Sequence, residues 1–376
     1  MGSSARAASD TVVVGGGVIG LLCALRLAQA GARVTLVERT RPGAQASSAA
    51  AGILGPQFEN EAPGPLLEFG LRSRALHAAL EEELNAQELS GSYWRCGALI
   101  VGNDENDLRA RAQWMRTRGL AAEFIDGDAV HTLEPTLAPV RSGLFLRDEA
   151  QLDPIAAIAA LTVAAERAGV RFRIDNVQRI TADQHARTVV AENNVFGCDT
   201  IVITAGSWSS LLPGLELPQN AVTPIRGQML AAQLPSGQLH HIVGGAGGYL
   251  VPRKSGRVLV GSTMERVGFD PRTTPEAAHL LQTIAATLAP NLGTTLRGPS
   301  TEHWAGLRPS TPDGLPLIGA APEGPGVWFA SGHLRNGWLL GPATAEAITQ
   351  LVLGHVPALD LSAFDPARLA IRSSLC

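Results

Sequence analysis

Three glycines and one glutamate near the N-terminus have residue types and a spacing that could serve chemistry together. Gly15, Gly17 and Gly20 form the pattern G-x-G-x-x-G, and Glu38 stands 23 positions after the first of them. The first glycine permits a tight turn, the second lets the backbone approach a pyrophosphate, and the third lets a helix pack closely against a strand. Glu38 can accept hydrogen bonds from a ribose hydroxyl, whereas its charge would repel the 2′-phosphate of NADP. The pattern predicts a bound dinucleotide, and FAD and NAD both fit because both contain ADP.

The segments around these residues predict the elements that would position them. Residues 11–14 form a β-branched run typical of a buried strand, and residues 33–37 form a second one. Between them, apolar residues recur from Val18 to Ala28 at a period near 3.6, and Gly31 follows where a helix would end. We therefore predict a βαβ unit with two parallel strands and a right-handed crossover.

A second α/β segment begins at Asp153 and Pro154, which are typical of an N-cap and a first helical residue. Strands are predicted after this helix, at residues 170–174 and 200–204. Alternating apolar and polar residues elsewhere predict antiparallel strands that are half exposed on one face. These alternating stretches are residues 98–101, 225–231, 249–252 and 258–260. The predicted fold class is therefore α/β plus a β-rich region.

The β-rich stretches interrupt the α/β segments, so we predict two discontinuous domains. A Rossmann-like nucleotide-binding domain would comprise residues 1–90, 148–220 and 300–376. A substrate-binding domain built on an antiparallel sheet would comprise residues 91–147 and 221–299.

The composition narrows the class of partner. The chain has 376 residues, of which 45% are apolar and 17% charged, as expected of a folded protein with a sizeable core. Its formal net charge of -4 offers no basic surface for nucleic acid or for an anionic membrane. The four cysteines form no C-x-x-C pair, and the first ten residues, a predicted polar tail, lack the apolar core of a signal peptide. We predict a cytoplasmic protein that binds a small molecule.

Longer motifs carry a resemblance to a known family. After Glu38 the chain reads ASSAAAGILGPQ, and farther on come GYLVPR, VLVGSTM, WAGLRPSTPDGLPLIG and GHLRNGWLLGPATAEAI. In this order, from Thr11 to about Gly354, the chain resembles the D-amino-acid oxidase family of FAD enzymes. It is most similar to the glycine-oxidising members, which are associated with making the thiazole of thiamine. The resemblance implies noncovalent FAD, because no cysteine stands between Trp304 and Gly319, where the related sarcosine oxidases attach their flavin.

The resemblance also implies which residues contact FAD. They are Gly15, Gly17, Val18, Ile19 and Gly20 in the glycine turn, Glu38 and Arg39, Ser47 and Ser48, Gly52, Ile53 and Leu54, Val177, and His333, Leu334, Arg335, Asn336, Gly337, Trp338 and Leu339. Residues 332–341 form a glycine-punctuated turn that leads into a helix, with Pro342 predicted in its first turn. The positive end of that helix would stabilise the negative charge of a reduced flavin.

Four residues are implied on the substrate side. Arg308 matches the arginine that binds the substrate carboxylate, and a guanidinium suits this role because it offers two parallel donors and stays charged. Arg335 matches a second substrate-side arginine, Tyr249 a hydroxyl that bonds to the carboxylate, and Met264 an apolar wall. Gly247 departs from the family pattern, which carries a histidine there, so we expect a roomier pocket.

The implied activity is FAD-dependent oxidative deamination of glycine, sarcosine or small D-amino acids. A hydride would pass to the flavin, hydrolysis would give glyoxylate or another 2-oxo acid and ammonia, and O2 as acceptor would give H2O2. Two alternatives stay open: a D-amino-acid dehydrogenase with a different electron acceptor, and a nicotinamide-binding or non-catalytic protein of the same fold. The histidine spacing favours no metal site. The sequence leaves open the preferred amine and the oligomeric state, for which a homo-oligomer is one alternative.

Overall fold

Two large β-sheets contain most of the strands of this protein. The structure is a computed structural model that describes residues 10–102, 104–184, 186–215, 217–322 and 324–372, so the predicted N-terminal tail lies outside the described residues except for Asp10. The strands are β1 Asp10–Val14, β2 Arg33–Glu38, β3 Ile53–Leu54, β4 Ala98–Gly102, β5 Glu123–Asp126, β6 Ser142–Leu146, β7 Ala150–Gln151, β8 Arg171–Ile174, β9 Val177–Ala182, β10 Arg187–Ala191, β11 Val195–Cys198, β12 Thr200–Ile203, β13 Thr223–Gln233, β14 Ile242–Gly245, β15 Gly248–Pro252, β16 Arg257–Gly261, β17 Glu302–Ser310, β18 Leu317–Ala320 and β19 Val327–Ser331.

The helices lie between and around these sheets. They are α1 Val18–Gln29, α2 Ala46–Ala49, α3 Pro56–Glu59, α4 Pro65–Asn85, α5 Glu105–Thr117, α6 Gly127–Leu133, α7 Pro154–Arg167, α8 Pro275–Leu288, α9 Pro290–Thr295, α10 Gly337–Val352 and α11 Ala367–Arg372. Two 3-10 turns, Gly206–Leu211 and Ser362–Phe364, complete the described elements. None of the described helices combines the length and the apolar character that crossing a membrane would require.

The first sheet has six strands in the order β18-β19-β12-β1-β2-β8. All neighbouring pairs are parallel except β18 with β19, so the predicted βαβ unit of β1, α1 and β2 is confirmed. Helix α1 is buried along most of its length, and its leucines pack with α10 and α7 in one apolar core. Gly31 follows α1 with a φ of +90°, a conformation that glycine adopts without strain. The observed α/β architecture with additional sheets agrees with the predicted fold class.

The second sheet has eight strands in the order β17-β13-β16-β15-β14-β4-β6-β5. Its pairs are antiparallel except for β4 with β14. The prediction that its strands are half exposed is wrong for β13, where every residue from Pro224 to Ala232 is buried. The physical reason is that apolar residues cover both faces of β13: helix α8 packs against one face, and Met229 and Ala231 on the other face lie in a second apolar cluster with Ala51 and Val251.

Strand β17 joins the two halves of the fold. The sequence placed residues 300–310 with the nucleotide-binding segments, yet β17 pairs along its length with β13 in the eight-stranded sheet. At its end, Ser310 forms a bridge with His333, and the Leu334 N–H donates to the carbonyl of Pro309 at 2.7 Å. Strand β17 is therefore bonded directly to the turn that precedes α10. The assignment of the remaining segments to two domains stays a prediction.

Candidate active site

A cavity of about 430 Å³ is lined by residues of both halves of the fold. One end lies at the carboxyl ends of the parallel strands β1, β2 and β12, where open α/β sheets bind their ligands. The other end reaches Gly227 of β13 and residues 306–309 of β17. A nucleotide and a smaller molecule could therefore lie in one continuous space.

The glycine turn has the geometry that its spacing predicted. Gly15 has a φ of +107°, and its N–H donates to the carbonyl of Val37 at 2.8 Å. A Cβ on Gly20 would lie 1.9 Å from the carbonyl oxygen of Gly15, so Gly20 permits the packing of α1 but does not itself line the cavity. Gly17, Val18 and Ile19 do line it. Gly17 is the N-cap of α1 and supplies no side-chain cap; the Val18 N–H donates to Ser47, and the next N–H groups of the first turn remain for an anion.

Glu38, the last residue of the neighbouring strand β2, hydrogen-bonds to the glycine turn. Its carboxylate accepts hydrogen bonds from the N–H of Gly16 at 2.7 Å and of Thr40 at 3.0 Å, and it lines the cavity. Arg39 also lines the cavity, with its guanidinium 4.6 Å from the ring centre of Trp208. Trp208 in turn packs on Phe269, with ring centres 5.2 Å apart. Trp208 also lines the cavity, and no sequence motif indicated this position.

Some of the other predicted cofactor residues line the cavity, and others do not. Ser47 and Val177 line the cavity, and Ser47 accepts a hydrogen bond from the N–H of Val18 at 3.0 Å. Ser48 instead faces a smaller neighbouring cavity of about 200 Å³. Gly52, Ile53 and Leu54 do not line the main cavity, because β3 pairs with β7 at this point. Cofactor contact by these residues stays a prediction.

The turn before α10 brings several predicted residues to the wall. His333, Leu334, Arg335, Gly337 and Trp338 line the cavity, whereas Asn336 and Leu339 do not. Leu334 has a φ of +47°, which is strained for a leucine and is held by its bond to Pro309. His333 is buried with its Nε2 3.0 Å from Oγ1 of Thr344, and burial lowers its pKa to about 3, so it is neutral.

The prediction that Pro342 lies in the first turn of this helix is wrong. Helix α10 already begins at Gly337, so Pro342 lies inside it and cannot donate to the carbonyl of Trp338, its partner four residues before. The buried His77 of α4 occupies that place, with Nε2 2.7 Å from the Trp338 carbonyl oxygen. Burial lowers the pKa of His77 to about 4, so the neutral ring donates through Nε2.

Trp338 also ties this helix to the glycine turn. Its indole Nε1 donates to the carbonyl of Ser47 at 2.9 Å, while Oγ of Ser47 accepts from Val18 at the start of α1. The N-terminal ends of α1 and α10 are therefore connected through one serine. This connection holds two helix ends against the same cavity.

At the substrate end, Arg308 is held by neutral acceptors. Its Nη1 donates to the carbonyl of Thr263 at 2.9 Å and lies 3.6 Å from the Met264 sulfur, and its Nη2 donates to Oγ of Ser262 at 2.7 Å. Among the described residues, no carboxylate lies within ion-pair distance of this guanidinium. The charge is therefore uncompensated and available to an anion in the cavity.

Two glycines make room for the side chains at this end. A Cβ on Gly227 would lie 1.9 Å from Nη1 of Arg308, and one on Gly261 would lie 2.4 Å from the ring of Tyr249. Sequence reasoning missed both, although a glycine inside a strand often marks a close approach of this kind. It also assigned no role to Ser262 and Thr263, which lie within the quoted VLVGSTM motif.

Tyr249 lies beside Arg308 but not on the cavity wall. Burial raises the pKa of its phenol, although the charge of Arg308 and a hydrogen bond with Ser262 act in the opposite direction. Met264, predicted as an apolar wall, is 54% exposed and does not line the cavity either. Its sulfur contacts Nη1 of Arg308.

The second predicted arginine has a different environment. Arg335 lines the cavity and is half exposed, and its Nε lies 2.5 Å from Oε2 of Glu59. Its Nη2 also donates to the Glu59 carbonyl at 3.2 Å. Glu59, which sequence reasoning missed, therefore neutralises Arg335. The structure brings both arginines to one cavity but leaves only Arg308 without a counter-charge.

Comparison with known proteins gives one family for nearly the whole chain. The family described as DAO, FAD dependent oxidoreductase, matches residues 10–351. A glycine oxidase of Pseudomonas aeruginosa is 33% identical over 95% of this chain and 98% of its own length. The bifunctional protein ThiO/ThiG of Synechocystis sp. is 34% identical over 96% of this chain, which spans only 54% of that longer relative.

A solved structure agrees with this similarity. The crystal structure of glycine oxidase from Geobacillus kaustophilus superposes with a TM-score of 0.90 at 32% sequence identity. The superposition covers 96% of this chain and 98% of that one.

Proposed function

The chain belongs to the DAO family of FAD-dependent oxidoreductases, and on this premise we propose that it deaminates glycine and similar small amines oxidatively. The family and the use of FAD were both predicted from the sequence motifs, and membership of the family confirms them. The proposed substrates include sarcosine and small D-amino acids. With O2 as the electron acceptor, glycine would give glyoxylate, ammonia and H2O2.

The residues at the nucleotide end fit FAD. First-turn N–H groups of α1 other than that of Val18, which donates to Ser47, would bind the pyrophosphate, and Glu38 would offer carboxylate oxygens to a ribose. The N-terminus of α10 likewise has no side-chain cap, and Gly337 and Trp338 at its start line the cavity. We expect Ser47, Val177 and residues 333–338 to complete the contacts.

Arg308 would bind the carboxylate of the substrate. Its guanidinium carries a permanent charge that no described carboxylate neutralises, and it lies in the same cavity as the glycine turn. Binding by the carboxylate leaves the amine and the α-carbon pointing away from the arginine into the cavity. FAD, when bound, supplies the acceptor for the hydride that leaves the α-carbon. Positioning of this kind can contribute roughly 7–11 kcal/mol to lowering a barrier.

The predicted hydrogen bond from Tyr249 to the carboxylate would require the phenol, which lies beside Arg308, to turn toward the cavity that it does not line. Because burial raises the pKa of its phenol, the hydroxyl keeps its proton at neutral pH and can donate it. The amine must be neutral when the α-C–H bond breaks, and this route needs no side-chain base at the α-carbon. Arg335, with its charge already balanced by Glu59, would form the rim of the cavity.

The single observation that carries this proposal is the uncompensated guanidinium of Arg308 in the cavity of the glycine turn. The test is an anaerobic titration of the purified yellow protein with glycine, sarcosine and a panel of D- and L-amino acids. We expect glycine to bleach the flavin absorbance and air to restore it with formation of H2O2. Glycinamide, which lacks the carboxylate, is the matched control and should leave the flavin oxidised.

Two results would contradict the proposal in different ways. If no carboxylated amine bleaches the flavin, the substrate class is wrong. If glycine bleaches the flavin but air does not restore the colour within seconds, the chain is a dehydrogenase with another acceptor.

A further inference from the structure

We propose that Glu265 and Thr263 are positioning residues that fix the guanidinium of Arg308 for the substrate carboxylate. This inference rests on the proposed function, and it assigns a role to two residues that do not themselves contact the substrate. Residues 262–265, which we call the arginine-holding segment, follow β16 and run beside β13.

The arginine-holding segment supplies the acceptors of Arg308. Nη1 donates to the Thr263 carbonyl at 2.9 Å and Nη2 to Oγ of Ser262 at 2.7 Å. On the opposite side, Gly227 leaves no space for a Cβ, so the guanidinium lies between strand β13 and this segment. A shift of the segment would therefore shift the guanidinium with it.

Glu265 anchors the segment to β13 through its backbone. The N–H of Glu265 donates to the Arg226 carbonyl at 2.9 Å, and the N–H of Arg226 donates to the Glu265 carbonyl at 2.9 Å. This pair of bonds forms an isolated antiparallel bridge. It places the carboxylate of Glu265 next to the hydroxyl of Thr263.

Side-chain bonds then lock Thr263. Its Oγ1 donates to Oε1 of Glu265 at 2.5 Å and accepts from the N–H of Gln228 at 2.9 Å. Gln228 also donates from Nε2 to the same carboxylate oxygen at 2.9 Å. The Thr263 hydroxyl therefore both donates and accepts a hydrogen bond, which fixes the residue whose carbonyl accepts from Arg308.

The carboxylate of Glu265 remains charged without neutralising Arg308. Its Oε2 accepts from Nε and Nη2 of Arg226 at 3.1 and 2.5 Å, and the Arg226 side chain is only 5% exposed. Burial raises the pKa of Glu265, but hydrogen bonds from Arg226, Thr263 and Gln228 outweigh it, so the pKa lies below its ordinary value. Glu265 does not contact Arg308 directly. It bonds to Thr263, whose carbonyl accepts from Arg308, so Glu265 restrains the guanidinium without neutralising its charge.

This arrangement differs from a direct ion pair in its consequence for binding. A carboxylate in contact with Arg308 would compete with the substrate for the same donors, as Glu59 occupies the donors of Arg335. An indirect anchor restrains the guanidinium and leaves its charge for the ligand. Substitution of Glu265 or Thr263 is therefore expected to weaken the binding of a carboxylate.

The experiment uses the FAD-loaded enzyme and acetate as a carboxylate probe. We would measure acetate binding by titration calorimetry, KM and kcat for glycine, and thermal unfolding, in Glu265→Gln, Thr263→Val and Thr263→Ser. The control is Glu302→Gln, which removes a two-contact Arg–Glu pair, with both contacts to Arg257 at 2.8 Å, that is more exposed and lies away from the arginine-holding segment. Thr263→Ser retains the hydroxyl and is the conservative rescue.

We expect Glu265→Gln and Thr263→Val to raise the acetate Kd and the glycine KM about tenfold, with kcat changed less than about threefold, because a charge-assisted contact is lost. Thr263→Ser and Glu302→Gln should stay within about twofold of the unsubstituted protein. In an Arg308→Met background, Glu265→Gln should have almost no further effect on acetate binding, as coupled residues require. Should Glu265→Gln fail to fold, Thr263→Val against Thr263→Ser gives the same comparison.

Separate results overturn the two proposals. If the protein binds acetate and oxidises glycine while Glu265→Gln and Thr263→Val behave like Glu302→Gln, the positioning role is wrong and the proposed function stands. If Arg308→Met itself leaves the acetate Kd unchanged, Arg308 is not the carboxylate site, and both proposals fail.

Discussion

Arg308 and Arg335 line one cavity from two regions of the molecule, and their charges are held differently. Arg308 lies on strand β17 of the eight-stranded sheet, where its partners are a carbonyl, a hydroxyl and a sulfur. Arg335 lies in the turn before α10, where the carboxylate and the carbonyl of Glu59 occupy its donors. Under the proposed function, the arginine in the first region would bind the substrate carboxylate, whereas the arginine in the second region is held in an ion pair with Glu59.

The two regions also differ in how they are built. The surroundings of Arg308 come from three strands and the arginine-holding segment, so the sheet ladder sets their positions. The turn region depends on a few side-chain bonds, among them His77 with Trp338 and His333 with Thr344. We therefore expect binding that depends on a fixed positive charge in the sheet region. In the turn region, where buried histidines supply the hydrogen bonds, we expect stability that depends on pH.

The largest expected effect comes from removing the two arginines separately. Arg308→Met should lower kcat/KM for glycine by roughly 100- to 1000-fold, because a desolvated charge pair costs about 2–5 kcal/mol when one partner is lost. Arg335→Met should lower it by less than about tenfold, since its charge is already balanced. Steady-state kinetics of both variants measure this difference, and equal losses of kcat/KM would contradict the different roles of the two arginines.

The next effect tests the space that Gly227 leaves for the guanidinium. Gly227→Ala places a Cβ 1.9 Å from Nη1 of Arg308, so the arginine must move. We expect kcat/KM for glycine to fall about 10- to 100-fold, since a misplacement of about 1 Å can cost 100-fold. Gly197→Ala in β11 is the control, because an added Cβ there meets no atom within 4 Å. Equal kinetics for the two variants would show that Arg308 is not held where the structure places it.

A third effect concerns the turn region and acid. Burial lowers the pKa of His77 from 6.5 to about 4, so on acidification the unfolded chain takes up the proton before the folded one does. This contribution to the free energy of unfolding is complete above about pH 6.5, falls as the pH drops toward 4, and amounts to about 3 kcal/mol.

Urea unfolding of the protein and of His77→Gln between pH 7 and 5 measures this effect. Glutamine can still donate to the Trp338 carbonyl but does not titrate in this range. The variant should therefore lose less stability on acidification than the unsubstituted protein. Parallel curves would contradict the assignment of acid sensitivity to His77.

The smallest effect tests the tie between Arg335 and Glu59. Glu59→Gln leaves Arg335 without its counter-charge, so a substrate with a second carboxylate, such as D-aspartate, should bind up to about fivefold more tightly. Glycine should be affected less than D-aspartate. The ratio of the two KM values is the measurement, and an unchanged ratio would indicate that Arg335 does not face the ligand.

The elements around the glycine turn could be predicted from the sequence because their residues are close together along the chain. The glycine turn, α1 and Glu38 lie within 30 residues, and each has a type that its backbone position requires. The substrate end could not be derived in this way, since Gly227, Ser262 and Arg308 are distant along the chain and meet only through strand pairing. The family resemblance suggested Arg308 as the carboxylate-binding residue, which stays a prediction, and gave no information about what holds its guanidinium.

Other errors had physical causes in tertiary structure. Alternation within β13 suggested one exposed face, but separate apolar clusters on the two sides of the strand bury both faces. The position of Pro342 suggested the start of a helix, because nothing in the local sequence revealed that a histidine of α4 would bond to the carbonyl left without a helical donor.

The hydrogen bond from Leu334 to Pro309 has a consequence for substrate length. Pro309 follows Arg308 directly, and Leu334 belongs to the turn that begins α10, so backbone rather than side chains fixes the spacing between the carboxylate anchor and that turn. A molecule with one additional methylene between its acid and amine carbons, such as β-alanine, would displace the reacting C–H bond by about 1.5 Å. We therefore expect the cavity to reject β-amino acids even where it has volume for a larger side chain.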